Sequence, residues 1–138
     1  MARYLADTSA WSRSGRDLRT ALRWSDLLAG RELGMCVPVA LELLYSARSP
    51  TEYARRALEL SRLPQLPLDE QASSAAARTQ ALLASKSQHR SAAPTDLLIA
   101  AIAEANGATL LHYDRHFDAI VRVTGQLAEW IAPRGSLD

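Results

Sequence analysis

The sequence predicts a single three-layer α/β/α domain built around a central, mostly parallel sheet. Short apolar runs, which are typical of buried strands, alternate with longer segments in which apolar residues recur every three or four positions. Strands that alternate with helices are joined by crossover connections, so they pair in parallel and carry helices on both faces. The length of 138 residues fits one domain, with a frayed tail expected from about residue 133.

Four strands are predicted, at residues 4–6, 33–37, 109–113 and 126–131, with the last at an edge of the sheet. A short helix is predicted after the cap residue Asp7 or Ser9, and further helices at residues 18–28, 38–47, 51–62, 69–85, 94–105 and 115–120. Pro38 and Pro94 fall in the first turns of their helices, where proline is accepted.

Composition and charge exclude several classes of protein. The formal net charge of +1 produces no strong overall field, so a nucleic-acid ligand would need a local basic patch. Cys36 is the single cysteine, which rules out an intramolecular disulfide and fits a reducing compartment, so we expect a cytoplasmic protein. We expect no signal peptide or membrane span, because acids such as Glu42 and Glu104 interrupt the apolar stretches.

Four acidic residues lie in or at the edge of apolar segments: Asp7, Glu42, Asp96 and Asp114. Asp7 and Asp114 each follow a predicted strand, and ligands of open α/β sheets bind beyond the carboxyl ends of the strands. Glu42 and Asp96 are predicted on helix faces that carry apolar residues, so we expect both to point inward at that end of the sheet. A buried ionised carboxylate is costly without a partner, and four together imply a bound cation.

Three of these acids also have a purely structural explanation. Asp7 and Asp114 are suitable helix caps, and Asp96 is a first-turn carboxylate that the helix dipole favours. Glu42 has no neighbouring basic residue in the sequence to pair with. The coincidence of four acids at one end of the sheet favours a shared site.

The residue types at this site select one kind of chemistry. Carboxylates favour hard cations such as Mg²⁺ or Mn²⁺, whereas zinc would lack its usual histidine and cysteine ligands. Such a cation can generate hydroxide from bound water and neutralise charge on a phosphodiester. Hydrolysis by this route needs no nucleophilic side chain, and the serines of this chain lack the sequence context of one.

Three segments resemble the PIN-domain ribonucleases, and among them the VapC toxins of bacterial toxin–antitoxin pairs. They are Tyr-Leu-Ala-Asp-Thr-Ser-Ala from residue 4, Pro-Thr-Asp-Leu-Leu-Ile-Ala-Ala-Ile-Ala from residue 94, and Thr-Leu-Leu-His-Tyr-Asp-Arg-His-Phe-Asp from residue 109. With Glu42 between them, the ordered set covers nearly the whole chain. The resemblance implies an α/β/α fold, Mg²⁺ or Mn²⁺ at the acidic pocket and endonucleolytic cleavage of RNA.

The resemblance also implies roles and partners. Asp7, Glu42 and Asp96 match the core catalytic and metal-binding acids, and Asp114 matches the fourth. Asp118 could share or replace that fourth role as a metal ligand. The implied partners are an RNA substrate, a VapB-like antitoxin that blocks the pocket and a second copy of the chain in a homodimer. No membrane association and no DNA binding by this chain alone are expected.

A few other residues are predicted to contact the acids or the substrate. Ser9 would orient the first acid, although a helix-capping hydroxyl looks the same in a sequence. Arg13, Arg115 and His116 are candidate substrate contacts, as are Lys86 and Arg90 in the polar connection at 86–93. Solvated surface charge is the alternative explanation for each of them.

Two other functions do not fit the same residues. A phosphotransferase of the haloacid dehalogenase type needs Asp-x-Asp after the first strand, whereas Asp7 is followed by Thr8 and Ser9. A response-regulator receiver needs a lysine after a late strand, but the only lysine, Lys86, falls between predicted helices. A non-catalytic PIN-like module that binds metal or RNA is the main alternative to a ribonuclease.

Overall fold

A computed structural model describes residues 2–138, which form a four-stranded sheet covered by helices. The strands are β1 Tyr4–Ala6, β2 Leu33–Gly34, β3 Thr109–His112 and β4 Ala128–Trp130. They pair in parallel in the order β2-β1-β3-β4, which confirms the predicted α/β/α domain. The helices are α1 Thr8–Arg13, α2 Leu18–Ala29, α3 Val37–Tyr45, α4 Pro50–Ser61, α5 Glu70–Ser85, α6 Pro94–Ala105 and α7 Phe117–Thr124. None of the helices in residues 2–138 is long and apolar enough to cross a membrane.

The element boundaries differ most from the predicted ones in β2 and α7. The second strand is predicted to reach residue 37, but it ends at Gly34 because Cys36 already occupies the position that caps α3. The helix predicted at residues 115–120 begins later, at Phe117, and continues to Thr124. Gly125 ends this helix in the left-handed conformation (φ 68°), which glycine adopts without steric cost.

Two hydrophobic cores flank the sheet, as the alternation of side chains along a strand requires. In β1, Leu5 belongs to one core, while Tyr4 and Ala6 belong to the other. In β3, Leu110 and Leu111 divide in the same way. Helices α3, α5, α6 and α7 contribute to the first core, and α1, α2 and the residues after β4 contribute to the second. The central strands are therefore buried on both faces and form a rigid frame for the residues that follow them.

The residues after Pro133 are docked onto the domain, contrary to the frayed tail predicted from the sequence. Leu137 is only 4% exposed and packs in the same core as Tyr113. The Tyr113 hydroxyl accepts a hydrogen bond from the Leu137 amide at 2.9 Å and donates one to Asp138 Oδ1 at 2.9 Å. Burial of the leucine and these two hydrogen bonds hold the tail against the end of β3.

The central strands β1 and β3 lie at a topological switch point. The chain runs from β1 to β2 on one side of the sheet and from β3 to β4 on the other. In open α/β sheets such a reversal leaves a crevice beyond the carboxyl ends of the strands, where ligands bind. Asp7 directly follows β1, and Asp114 lies two residues after β3, so the fold brings both acids to this crevice.

Candidate active site

Asp7 is a buried carboxylate at the junction of β1 and α1. It is 3% exposed, and its Oδ1 accepts hydrogen bonds from the Ala10 amide at 3.0 Å and from Ser9 Oγ at 2.7 Å. Burial raises the pKa of the Asp7 carboxyl to about 6, against these hydrogen bonds, and the negative charge of Asp96 adds to the rise. Asp7 therefore caps α1, and burial destabilises the charged form of its carboxyl.

Ser9 links the residue that follows β1 to the residue that follows β3 through two hydrogen bonds. Its hydroxyl donates to Asp7 Oδ1 and accepts a hydrogen bond from the Tyr113 amide at 2.9 Å. Because Tyr113 immediately follows β3, this one hydroxyl fixes the first acid relative to the chain that carries Asp114. The geometry supports the predicted orienting role of Ser9, and Ser9 does not itself cap α1.

Glu42 lies at the exposed rim of the site rather than inside it. The prediction that this side chain points inward is wrong, because α3 buries Pro38, Val39 and Leu44 instead. Glu42 Oε1 accepts a hydrogen bond from Thr8 Oγ1 at 2.8 Å. Since Thr8 is the residue after Asp7, this contact still places Glu42 beside the first acid.

Asp96 and Asp114 complete the acidic site from the opposite side. Asp96 lies in the first turn of α6 and is half-buried, and burial raises its pKa. The negative charges of Asp114 and Glu42 raise the same pKa further, which shows that the carboxylates interact electrostatically. Asp114 Oδ1 accepts a hydrogen bond from the His116 amide at 2.9 Å and lies 3.0 Å from His116 Nδ1.

The two aspartates that are candidates for the fourth acid of the site have different surroundings in the structure. Asp118 Oδ2 lies 3.7 Å from Arg134 Nη1, in an exposed ion pair with the tail. Asp114, in contrast, is one of the charges that act on Asp96. Asp114 therefore acts on the charge of Asp96, whereas Asp118 pairs with the tail.

The candidate substrate contacts differ in how they are engaged. Arg13 packs its guanidinium over the Tyr113 ring, with Cζ 4.9 Å from the centroid, which is a cation–π contact. Its Nε is buried and makes no hydrogen bond within residues 2–138. Arg115 is exposed, and His116 is held at Asp114. Arg13 thus has a packing role, while Arg115 and His116 face outward near the acids.

The donor set fits a hard divalent cation. Within residues 2–138, Asp7, Glu42 and Asp96 form no ion pair with a lysine or arginine, and Asp7 Oδ2 accepts no hydrogen bond. Neighbouring carboxylates that repel one another and lack cationic partners are what such an ion neutralises. In the described part of the chain, however, no three acid, histidine or cysteine side chains already converge as one ligand set.

Two features of the site are absent from the sequence predictions. Thr8 contacts Glu42, and its place directly after Asp7 in the first turn of α1 is a signal that could have been used. A cavity beside Asp96 also receives Gln80 and His89. No local pattern connects Gln80 with an acid 16 positions later, because only the packing of α5 against α6 brings them together.

We predict that Asp7 makes stability fall as pH rises. The carboxyl has a pKa of about 6 in the folded protein against 3.8 in its ordinary state. The protonated form therefore favours folding, fully below pH about 4, and this contribution of about 2–3 kcal/mol is lost as pH rises through 6. Asp7→Asn keeps the cap and removes the charge, so with a chelator present it should stabilise the protein at pH 7.5 but not at pH 4. Urea unfolding at both pH values measures this.

Asp17→Asn is the matched control, because Asp17 caps α2 as Asp7 caps α1. Hydrogen bonds from Thr20 lower the pKa of Asp17, so its contribution to stability is present at neutral pH and lost as pH falls. The two variants should therefore shift stability in opposite directions at pH 7.5. Equal effects of both variants at both pH values would contradict the raised pKa of Asp7.

Comparisons with known proteins agree with this geometry. The PIN domain family model matches residues 4–123. Ribonuclease VapC18 of Mycobacterium tuberculosis is 41% identical over 136 residues, covering 97% of this chain and 98% of the relative. Ribonuclease VapC51 of the same organism is 39% identical over 137 residues, covering 99% and 98%.

Solved structures support the fold. VapBC from Salmonella typhimurium, crystallised bound to DNA, contains a chain that matches with a TM-score of 0.73 at 22% identity, covering 96% of this chain and 100% of that one. VapBC-5 from Mycobacterium tuberculosis matches with a TM-score of 0.59 at 23% identity, covering 94% and 98%. These matches show the fold, while the family model and the near full-length relatives show that the chain belongs to the PIN-domain family and, within it, to the VapC proteins.

Proposed function

We propose that this protein is the toxin of a toxin–antitoxin pair and a Mg²⁺- or Mn²⁺-dependent endoribonuclease. The observation that carries the proposal is that Asp7, Glu42, Asp96 and Asp114, from separate segments of the chain, lie at the same end of a parallel sheet, where neighbouring carboxylates act on Asp7 and Asp96. The relatives named ribonuclease VapC support the choice of RNA as substrate.

Each acid has a defined part in this mechanism. A divalent cation held by the acids would supply hydroxide from bound water and neutralise charge on the scissile phosphate. Asp7 is the fixed member, since Ser9 and the Ala10 amide hold Oδ1 and leave Oδ2 for the crevice. Asp96 and Asp114 lie at the same end of the sheet, so each would contribute a carboxylate oxygen to the cation. Hydrolysis forms one P–O bond with water and breaks the bond to the leaving ribose oxygen, which takes up a proton.

We expect cleavage of RNA to require both the divalent cation and the buried acids. Wild-type protein with millimolar Mn²⁺ should cut a fluorescein-labelled RNA, and Asp7→Asn or Asp96→Asn should slow cutting by about a hundredfold or more, because each removes a charged ligand. Glu104→Gln is the matched control, since Glu104 is an exposed acid on the same helix as Asp96. Gel electrophoresis of the products measures the rates.

Two outcomes would overturn the enzymatic proposal. Equal cleavage by wild type and both aspartate variants would remove the acids from the chemistry. Binding of RNA without cleavage by wild type would favour the non-catalytic PIN-like module instead. A DNA oligonucleotide of the same sequence completes the design, because we propose that this chain alone does not bind DNA.

Metal binding should stabilise the folded protein. An ion that binds only the folded state adds RT ln(1 + [L]/Kd), about 2.7 kcal/mol at a hundredfold excess over Kd. For a domain of this size that raises the melting temperature by about 5–10 °C. Thermal melts with MnCl₂, against NaCl of equal ionic strength, should show this shift for wild type and Glu104→Gln and a smaller one for Asp96→Asn. No shift at any Mn²⁺ concentration would argue against a metal site.

A VapB-like antitoxin is the proposed inhibitor of this site. The structural neighbours described as VapBC support such a partner. A cavity of about 480 Å³ opens beside Glu42, and Trp11, Leu43 and Leu60 give it an apolar lining that could receive side chains of the partner. Repeating the cleavage assay with the antitoxin tests this arrangement, since a covered site should leave the RNA intact.

A homodimer is the second proposed assembly, and an exposed stripe on α3 supports it. Val37, Leu41 and Tyr45 recur every fourth residue and are 59%, 61% and 92% exposed. Apolar side chains aligned on one helix face are typical of a contact surface. Leu41→Asp should therefore shift the protein from dimer to monomer in sedimentation experiments, while Leu18→Asp, at a leucine on α2 that is 75% exposed, should not. A monomeric wild type would contradict the dimer.

A further inference from the structure

A cavity of about 510 Å³ lies directly beside Asp96, and polar and cationic side chains form part of its lining. Its side-chain lining includes Gln80, His89, Arg90, Ser91, Asp96 and His116. The volume is in the range of about 300–1,000 Å³ that small-molecule ligands occupy in proteins. The cavity therefore offers room for one unit of a larger substrate next to the acidic site.

A fixed turn after α5 builds the wall of this cavity. The helix ends at Ser85, and Ser87 takes the left-handed conformation with φ 56°, which is uncommon for a residue with a side chain. The Gln88 amide then bonds back to the Leu83 carbonyl at 2.7 Å, and the Ser91 amide bonds to the Gln88 carbonyl at 3.0 Å. These backbone contacts direct residues 88–91 across the start of α6, where Asp96 lies.

The polar groups of the wall are free to bind a ligand. Gln80, His89 and Arg90 are exposed, and within residues 2–138 their side chains make no hydrogen bond or ion pair. Ala92, Ala93 and Pro94 form the adjoining apolar part of the lining. The wall thus combines a cation, an amide, an imidazole and an open surface, which are the groups that bind phosphates and bases.

The cavity on the other side of the site is different. Its arginine, Arg56, already contacts Glu52 at 3.7 Å and Ser46 Oγ at 3.3 Å, and Glu59 adds a negative charge to the lining. Phosphates that approach four carboxylates are repelled, so a free arginine beside the acids offsets the repulsion. Arg90 on the Asp96 side meets this need, and Arg56 on the Glu42 side does not.

We propose that the cavity beside Asp96 is the subsite for the nucleotide adjacent to the scissile phosphodiester. Arg90 binds the phosphate of that nucleotide, and Gln80 and His89 contact its base. The subsite therefore contributes to the choice of the sequence that is cut. This inference rests on the proposed ribonuclease function, and it identifies specificity residues rather than catalytic ones.

Binding of RNA tests the subsite without any cleavage. A fluorescein-labelled RNA of mixed sequence is titrated with protein in the presence of a chelator, and its anisotropy is followed at several salt concentrations. Arg90→Ala should weaken binding by about tenfold and lower the slope of log Kd against log salt by about 0.7, as expected for one lost phosphate contact on a single strand. Arg78→Ala is the control, since Arg78 is an exposed arginine on α5 outside this cavity.

Cleavage of a randomised RNA tests base recognition. Sequencing of the cut ends should show a base preference next to the cut for wild type, and Gln80→Ala should relax it at one position by about fivefold or more. Gln71→Ala, at an exposed glutamine of the same helix, should leave the preference unchanged. Thermal melts should show all variants folded, because the substituted residues are exposed.

The results separate the subsite from the proposed function. If wild type does not cut RNA, the ribonuclease proposal fails, and the anisotropy of Arg90→Ala against Arg78→Ala still decides whether the cavity binds RNA. If wild type cuts RNA but Arg90→Ala binds like Arg78→Ala and Gln80→Ala keeps the wild-type preference, the subsite is overturned while the ribonuclease stands.

Discussion

The buried carboxylate of Asp7 is the constraint on which the functional end of this domain depends. A group that is 3% exposed and has its pKa raised to about 6 is expensive to keep ionised. Two hydrogen bonds offset part of that cost, because Asp7 Oδ1 caps α1 and accepts a hydrogen bond from the Ser9 hydroxyl. Stability and function are opposed at this residue, since the charge that weakens the fold is the charge that a cation needs.

The acidic site lies between two cavities that differ in electrostatic character. On the Glu42 side, apolar residues and a paired arginine form the lining. On the Asp96 side, Arg90 and two histidines line the same cavity as the carboxylate. A protein with a formal net charge of only +1 can therefore present a nucleic acid with a local cationic surface at one side of its acids. The two cavities therefore offer the proposed RNA substrate and the proposed inhibitory partner separate surfaces beside the acids.

Local patterns predict the sheet and the positions of the acids along the chain, because strand ends and helix caps are encoded within a few residues. The orientation of Glu42 is not predictable in this way, since its helix could turn either face toward the sheet. The cavity beside Asp96 depends on a left-handed Ser87 and on the packing of α5, which no periodicity reveals. The docked tail depends on the Tyr113 hydroxyl, which accepts a hydrogen bond from the Leu137 amide 24 positions later in the sequence.

Tyr113 shows how distant segments determine the position of an acid that sequence reasoning places only roughly. Its amide donates to Ser9 Oγ, its ring lies under the Arg13 guanidinium, and its hydroxyl holds the tail through Leu137. Two regions of the chain, α1 and the tail, therefore fix the residue that immediately precedes Asp114. An acid after a short strand would otherwise move with its loop, and repulsion from neighbouring carboxylates would push it away from them. The contacts of Tyr113 oppose that movement, so they help to keep the acidic site assembled before any cation binds.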